Sequence, residues 1–315
     1  MKKSAKKNKA HISSDKIRQK LKLKHLKVKK AFSDKYPEAE KFLSDRGIDP
    51  GKIREHSAKL LSAGILTGAL LLSPSSPSDP LPTPEEIINE VAKKTHNPKE
   101  VLQNTLDKIL PERTRPLSLE EEKFLENLIS NTTDVEVKAT LEGEHLNTTY
   151  GRIGLEQHLR RFPGDTLSEH GDGEVLEEGM APGLGAWGYF SRSREELTPE
   201  LEEIERWYAV VQTLYLPDWN TRQPHLKNWY KYKKVLIVNT MNANAVVASI
   251  ADSGPAAWTG KHYGGSPEVM NALGGSRYTK GPVIVFFVDD PENKVPLGPI
   301  EYNNIDLNTI VSSDE

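Results

Sequence analysis

Asp252 is the residue of this sequence best suited to acid–base chemistry. It stands at the end of an apolar run, residues 245–251, directly before the constrained turn Ser253-Gly254-Pro255. A carboxyl group partly shielded from water has a raised pKa and can donate and then accept a proton. The same side chain could instead accept backbone hydrogen bonds from the turn, as Asp often does. We therefore predict Asp252 as an acid/base residue, with a structural cap as the alternative.

Other kinds of site are disfavoured by the residues present. The chain has no cysteine, which excludes disulfides, thiolate metal sites and cysteine nucleophiles. Two histidines and several acids between His158 and Asp172 match no familiar metal spacing, so no metal is predicted. Residues 183–188 spell G-x-G-x-x-G but lack the strand–turn–helix setting of a dinucleotide site, so no cofactor is expected.

The charge distribution divides the chain into a basic and an acidic part. Residues 1–59 carry 19 Lys and Arg against 7 Asp and Glu, a net charge of +12, and the other 256 residues carry 23 against 38, or −15. Between them, the uncharged run 60–78 is just long enough to span a bilayer. The basic flank predicts a cytoplasmic tail (1–57), a membrane anchor (58–78) and an extracytoplasmic remainder. A long cleaved signal and a buried soluble helix are the alternatives, and nucleic acid is not an expected partner because no aromatic residues interleave the basic tail.

A Pro-rich stalk and a helical spacer are predicted for residues 79–140. Prolines crowd residues 74–84 and favour extended backbone. Helix starts follow at Thr83-Pro84, Asn97-Pro98 and Ser118, each with apolar residues at helical spacing.

From residue 141 to 310 the sequence predicts a mainly β domain with short helices. Residues 233–239, 245–251 and 283–288 have the apolar patterns of strands. Residues 266–274 carry the signals of a short helix, with Ser as N-cap, Pro at the first helical position and Gly at the end. A longer acidic helix is predicted over 198–216.

The ordered motifs of this region resemble a known family. They are Val235-Leu-Ile-Val-Asn239, Asp252-Ser-Gly254-Pro255, Gly260-Lys261 and Leu273-Gly274, with residues 185–190 as an opening strand. The series is similar to the double-psi β-barrel of the rare lipoprotein A family, which is related to barrels of expansins and of membrane-bound lytic transglycosylase A. The best match, residues 228–290, is expected to form the barrel. Two motifs depart from the family: Asn242-Ala243-Asn244 replaces an N-G turn, and Gly264-Gly265-Ser266 replaces D-L-S.

The resemblance implies that the domain acts on or binds cell-wall glycan, peptidoglycan above all. Asp252 would be the acid/base of a lytic-transglycosylase-like reaction, and Trp187, Trp258, His262 and Tyr263 would contact the sugars. Each aromatic residue could equally pack in the core or at its rim. The missing second aspartate favours the alternative, a non-catalytic, expansin-like or protein-interaction surface module, and whether the chain is an enzyme stays open.

Overall fold

The computed structural model of the chain describes Val91, Thr95 and residues 97–171 and 173–302. The chain divides into two units, residues 1–80 and 81–315, and all the described residues belong to the second. The predicted tail (1–57), anchor (58–78) and helix start at Thr83-Pro84 lie outside them. No helix within the described ranges is long and apolar enough to cross a bilayer.

Six strands close into a barrel, which confirms the mainly β fold. The barrel strands are β4 (Tyr150–Leu155), β5 (Tyr208–Val211), β6 (Lys234–Asn239), β7 (Ala245–Ser253), β8 (Tyr263–Gly265) and β9 (Lys280–Val288). Their order around the barrel is β4, β8, β5, β7, β6 and β9, and β9 pairs again with β4. The pairs β4–β8 and β5–β7 are parallel, and the other four are antiparallel.

Four shorter strands lie outside the barrel. They are β1 (Val137–Lys138), β2 (Thr140–Leu141), β3 (Glu144–His145) and β10 (Gly298–Pro299). β1 extends the sheet beside β9 and β10 extends it beside β7, whereas β2 and β3 form a separate hairpin.

The barrel is larger than the predicted stretch 228–290. Only β6 to β9 lie within that range, so β4 and β5 from upstream are required to close it. Neither was predicted, and β5 falls inside the predicted helix 198–216. That prediction is wrong in extent, because the helix α3 spans only Pro199–Arg206, capped by Thr198, and the chain turns into β5 after Trp207.

The long strands are apolar on both faces because both faces are covered. Along β6, Val235 and Ile237 belong to one hydrophobic cluster, and Leu236 and Val238 belong to another. A strand buried on both sides becomes a continuous apolar run instead of an alternating one.

Two helices predicted as a spacer pack directly on the barrel. They are α1 (Pro98–Ile109), capped by Asn97, and α2 (Leu119–Thr133), opened by a capping box of Ser118 and Glu121. Their buried leucines share one cluster with Phe286 of β9 and with residues of β6 and β7. Burial of an apolar helix face stabilises by about 25 cal/mol per Å², so these helices contribute to the stability of the barrel.

Two further helices complete the core. α4 spans Trp219–Tyr230 and α5 spans Pro267–Gly274. The α5 prediction is confirmed, because the Ser266 hydroxyl accepts the Val269 N–H at 3.2 Å and Pro267 occupies the first turn.

Candidate functional site

Asp252 lies at the penultimate position of β7, at the rim of the barrel. Its pairing partner is Val210 on β5, and the register shifts just before this pair because β7 has an extra residue, Ala251, as in a β-bulge. Bulges redirect side chains and recur beside active sites. Asp252 Oδ1 accepts the N–H groups of Ser253 at 2.7 Å and of Ala186 at 2.6 Å. Burial raises the pKa of Asp252 although these two hydrogen bonds oppose it, so the carboxyl makes structural hydrogen bonds and still keeps its proton to a higher pH than a solvated aspartate.

Glu156 is a second carboxyl in this part of the barrel, and the sequence did not reveal it. Its side chain lies against Gly264, and Gly264 and Asp252 both pair with Val210. It directly follows β4, and its N–H donates to the Gly265 carbonyl at 2.9 Å. Burial raises the pKa of Glu156, and the Asp252 charge raises it further. The Lys261 ammonium, 3.4 Å from Glu156 Oε1, acts in the opposite direction without cancelling the rise. The two carboxyls therefore interact electrostatically at one site.

Two glycines make room for the side chains of Lys261 and Glu156, which form an ion pair. Gly154 on β4 pairs in register with Gly264 on β8. A Cβ on Gly154 would collide with the Lys261 side chain, and a Cβ on Gly264 would collide with Glu156. The Gly264-Gly265 sequence, which departs from the D-L-S of the resembling family, thus leaves space for a carboxyl supplied by another strand.

Residues 185–190 form a loop over Asp252 and not the predicted opening strand. The pairing found there is an isolated bridge between Gly185 and Gly188. Glycines and a tight turn disfavour a regular strand. The Trp187 indole donates to the Lys227 carbonyl on α4 at 2.7 Å and packs, partly buried, against the barrel core. Trp187 thereby fixes the loop whose Ala186 N–H binds Asp252.

Trp258 and Tyr215 present aromatic surface beside the Asp252 turn. Trp258 is 89% exposed on a short 3-10 helix, Ala257–Thr259, and Tyr215 is 44% exposed. The Tyr215 hydroxyl accepts the Ala257 N–H at 2.9 Å, which brings it next to Trp258. Trp and Tyr combine an apolar ring with a polar group and are enriched at interfaces, so these two exposed rings are candidates for contact with a ligand. Tyr215 was not singled out from the sequence.

His262 and Tyr263 have different surroundings. His262 Nδ1 accepts the Arg152 N–H at 3.1 Å, which leaves its proton on Nε2, and burial together with Arg152 lowers the pKa of His262. Tyr263 is 3% exposed, its ring belongs to the barrel core, and its hydroxyl donates to the Thr148 carbonyl. A sugar platform needs an exposed ring face, so the position of Tyr263 fits the packing alternative and not a contact with sugar.

Three residues of the described chain could hold a metal ion. One ligand atom from each of His158, His170 and Glu205 lies within 4.8 Å of the others. No metal was predicted, because the spacing of His158 and His170 matches no familiar metal site and the third residue, Glu205, is supplied by α3.

A cavity of about 680 Å³ lies elsewhere, between α3 and residues 293–297. Its wall includes Tyr232, Lys234 and Ser249 but neither Asp252 nor Glu156. Its two carboxylates, Glu200 and Glu203, are exposed. The cavity therefore lacks the paired, shielded carboxyls of the Asp252 site.

The sequence matches no model of a known protein family, and no curated protein is detectably similar to it.

Proposed function

We propose that this protein acts on cell-wall glycan at the barrel rim, with Asp252 as the acid/base. The observation that carries the proposal is a set of three residues around the same part of the barrel rim. Asp252 and Glu156 are carboxyls with raised pKa on either side of Val210, and Trp258 is an exposed ring in the segment that follows Asp252. Shielded carboxyls are proton donors and acceptors near neutral pH. Aromatic faces suit the apolar faces of sugar rings.

The reaction class is lytic transglycosylation. Protonated Asp252 donates its proton to the glycosidic oxygen as the bond to the anomeric carbon breaks. The same carboxylate then takes the proton of the sugar's own 6-hydroxyl as that oxygen attacks the anomeric carbon, so no water is consumed. Asp252 Oδ1 accepts both backbone N–H groups, and in the described part of the chain Oδ2 receives no hydrogen bond. Oδ2 is thus the oxygen assigned to proton transfer, and Glu156 raises the local negative charge that stabilises an oxocarbenium-like carbon.

The finer fold and the location are part of the same proposal. A double-psi barrel of the rare lipoprotein A kind is supported by the six-strand closure and by the short helix α5 at the position that the resemblance gives it. The anchor at residues 58–78 would hold this domain on the outer face of the membrane, next to peptidoglycan. Protease added to intact cells should then degrade the part after residue 80 and spare the tail, and the reverse pattern would contradict this topology.

Glycan binding without chemistry is the second candidate. It is favoured by the two N–H groups on Asp252, which are the bonds of a structural cap, together with the 89% exposure of Trp258. In that case the rim would recognise glycan in the manner of an expansin.

The test incubates the full-length chain with insoluble peptidoglycan, both intact and stripped of stem peptides. Mass spectrometry measures soluble anhydromuramic products, and the pellet measures binding. Asp252→Asn and Glu156→Gln are run in parallel with Glu203→Gln, an exposed carboxyl on α3. Anhydro products that disappear in Asp252→Asn and persist in Glu203→Gln are the expected result. Binding without products would leave the recognition module, and neither binding nor products would overturn the glycan proposal.

A further inference from the structure

The side chains of His158, His170 and Glu205 form a buried cluster outside the proposed active site. His158 lies shortly after β4, His170 follows a single 3-10 turn (Leu167–Glu169), and Glu205 is in the last turn of α3. The side chains of both histidines are 0% exposed and that of Glu205 is 3% exposed. The two imidazole rings lie 4.9 Å apart, centroid to centroid.

The outer nitrogen of each imidazole has a partner that orients its ring. His158 Nε2 donates to the Val175 carbonyl at 2.9 Å, and His170 Nε2 lies 2.9 Å from Asp165 Oδ2. This leaves both Nδ1 atoms facing Glu205. Metal-binding histidines are oriented in this way, by giving their second N–H to a carbonyl or a carboxylate.

The inner atoms converge at distances compatible with one shared ion. His170 Nδ1 is 2.9 Å from Glu205 Oε2, and His158 Nδ1 is 3.5 Å from Glu205 Oε1. His158 Nδ1 is buried and has no hydrogen-bond partner among the described residues. A buried nitrogen lone pair without a partner is unfavourable unless something else binds it.

A purely structural ion network is the competing explanation. Arg161 binds Asp165 through its Nε at 3.2 Å and an Nη at 3.0 Å, and Asp165 in turn contacts His170. His170 lies between Asp165 and Glu205, with one ring nitrogen 2.9 Å from a carboxylate oxygen of each. This network satisfies His170, but it leaves His158 Nδ1 without a hydrogen bond.

We propose that His158, His170 and Glu205 bind a divalent transition-metal ion, with zinc as the best chemical fit. Two imidazole nitrogens and one carboxylate oxygen form a ligand set common for zinc. Glu268 is a candidate for a fourth ligand. Its Oε2 is buried without a hydrogen-bond partner among the described residues, and its carboxyl interacts electrostatically with His158 and Glu205. The ion would tie α3 to the segment after β4. This site does not depend on the proposed glycan activity.

The test uses the full-length chain without an affinity tag, stripped with a chelator and titrated with Zn²⁺ or Co²⁺ alone. The expected result is one tightly bound ion per chain and a visible Co²⁺ absorption band typical of low coordination number. His158→Gln keeps a donor for the Val175 carbonyl but removes the Nδ1 ligand, so the affinity should fall at least about tenfold. His225→Gln changes a histidine on α4 whose side chain is 58% exposed, and should keep the ion.

Two results would overturn the proposal. One is a stripped wild-type chain that takes up neither Zn²⁺ nor Co²⁺. The other is His158→Gln with wild-type stoichiometry and affinity, which would assign the ion to other histidines of the chain. If His158→Gln fails to fold, X-ray absorption of the wild-type Co²⁺ form decides, because two imidazole ligands are expected and a shell of oxygen alone would contradict the site.

Discussion

Two aspartates near the ends of long barrel strands show how the surroundings of a carboxyl set the direction of its pKa shift. Asp252 is the penultimate residue of β7 and Asp290 is the second residue after β9, each after an apolar run and each accepting two backbone N–H groups. Asp290 additionally binds the Lys234 ammonium at 2.8 Å, and this ion pair together with the two N–H groups lowers the pKa of Asp290. In the described part of the chain Asp252 has no such ion pair, and burial raises its pKa.

The comparison teaches that backbone hydrogen bonds, which both aspartates accept, do not alone set the pKa of the carboxyl. Both aspartates also lie in proline-containing turns, Asp252-Ser-Gly-Pro255 and Asp290-Pro291, so local composition does not distinguish them. An ion pair stabilises the charged form, whereas desolvation without a cation stabilises the neutral form. Asp290 is therefore a structural anchor of the turn at residues 290–295, and Asp252 is the carboxyl able to exchange a proton.

The largest difference is expected in activity. Asp252→Asn should reduce the release of anhydro products by about 10²- to 10⁴-fold, the usual contribution of a general acid/base. Asp290→Asn should retain activity in the folded fraction, because Asp290 has no place in the reaction. Quantified products from peptidoglycan, per folded protein, check this pair. Equal losses of activity in both variants would contradict a catalytic role that Asp252 has and Asp290 lacks.

The same two variants should change stability in opposite directions. Asp290→Asn loses a hydrogen bond to a charged group and should lower the free energy of unfolding by about 1.5–3 kcal/mol. Asp252→Asn keeps an oxygen for both N–H donors and removes a carboxyl that is unfavourable when ionised. It should raise the free energy of unfolding at neutral pH by roughly 0.5–2 kcal/mol. Urea unfolding measures both, and destabilisation by Asp252→Asn would mark it as a structural residue.

The pH dependence of stability sharpens the contrast. Asp252 has a folded-state pKa above its ordinary 3.8. Its contribution to the free energy of unfolding is therefore fully present below pH 3.8 and is lost as the pH rises through the folded-state pKa. Asp290 has a folded-state pKa below 3.8. Its contribution to the free energy of unfolding is therefore present above pH 3.8 and is lost as the pH falls through the folded-state pKa. The gain from Asp252→Asn should accordingly grow from about pH 3 to about pH 7. Unfolding curves across this range test the sign, and a gain that shrinks with pH would contradict it.

The smallest effect is expected at the aromatic rim. Trp258→Ala should leave the unfolding free energy within about 0.5 kcal/mol of wild type, because the side chain is 89% exposed. It should weaken peptidoglycan binding about 2- to 10-fold, the equivalent of one ring contact of about 0.5–1.5 kcal/mol. Trp187→Ala is the matched control, and it should destabilise the fold, since its indole ties the 185–190 loop to α4. Unchanged peptidoglycan binding in Trp258→Ala would contradict the contact between the Trp258 ring and a sugar.

The sequence predicted the elements whose signals are local. Asn97, Ser118, Thr198 and Ser266 each cap the helix they were predicted to begin. The apolar runs of β6, β7 and β9 also became strands close to the predicted limits. These elements carry their own caps and patterns, so no tertiary contact is needed to recognise them.

Elements defined by their neighbours were missed. β4 contains Gly151 and Gly154, which are required by the side chains of His262 and Lys261 and which weaken the strand pattern. β5 has four residues, all buried between two layers, directly after a helix. Glu156 gave no signal in the sequence. The spacing of His158 and His170 matched no familiar metal site, and only folding adds Glu205 of α3 to them.

The most direct test of the account is a carbon-detected NMR titration of the side-chain carboxyls of Asp252, Glu156 and Asp290. We predict that Asp252 titrates above 3.8 and Glu156 above 4.5, while Asp290 titrates below 3.8. That result would leave the rim with two carboxyls able to hold a proton. An Asp252 that titrates below 3.8, alongside Asp290, would make it a second structural cap and contradict its role as the acid/base.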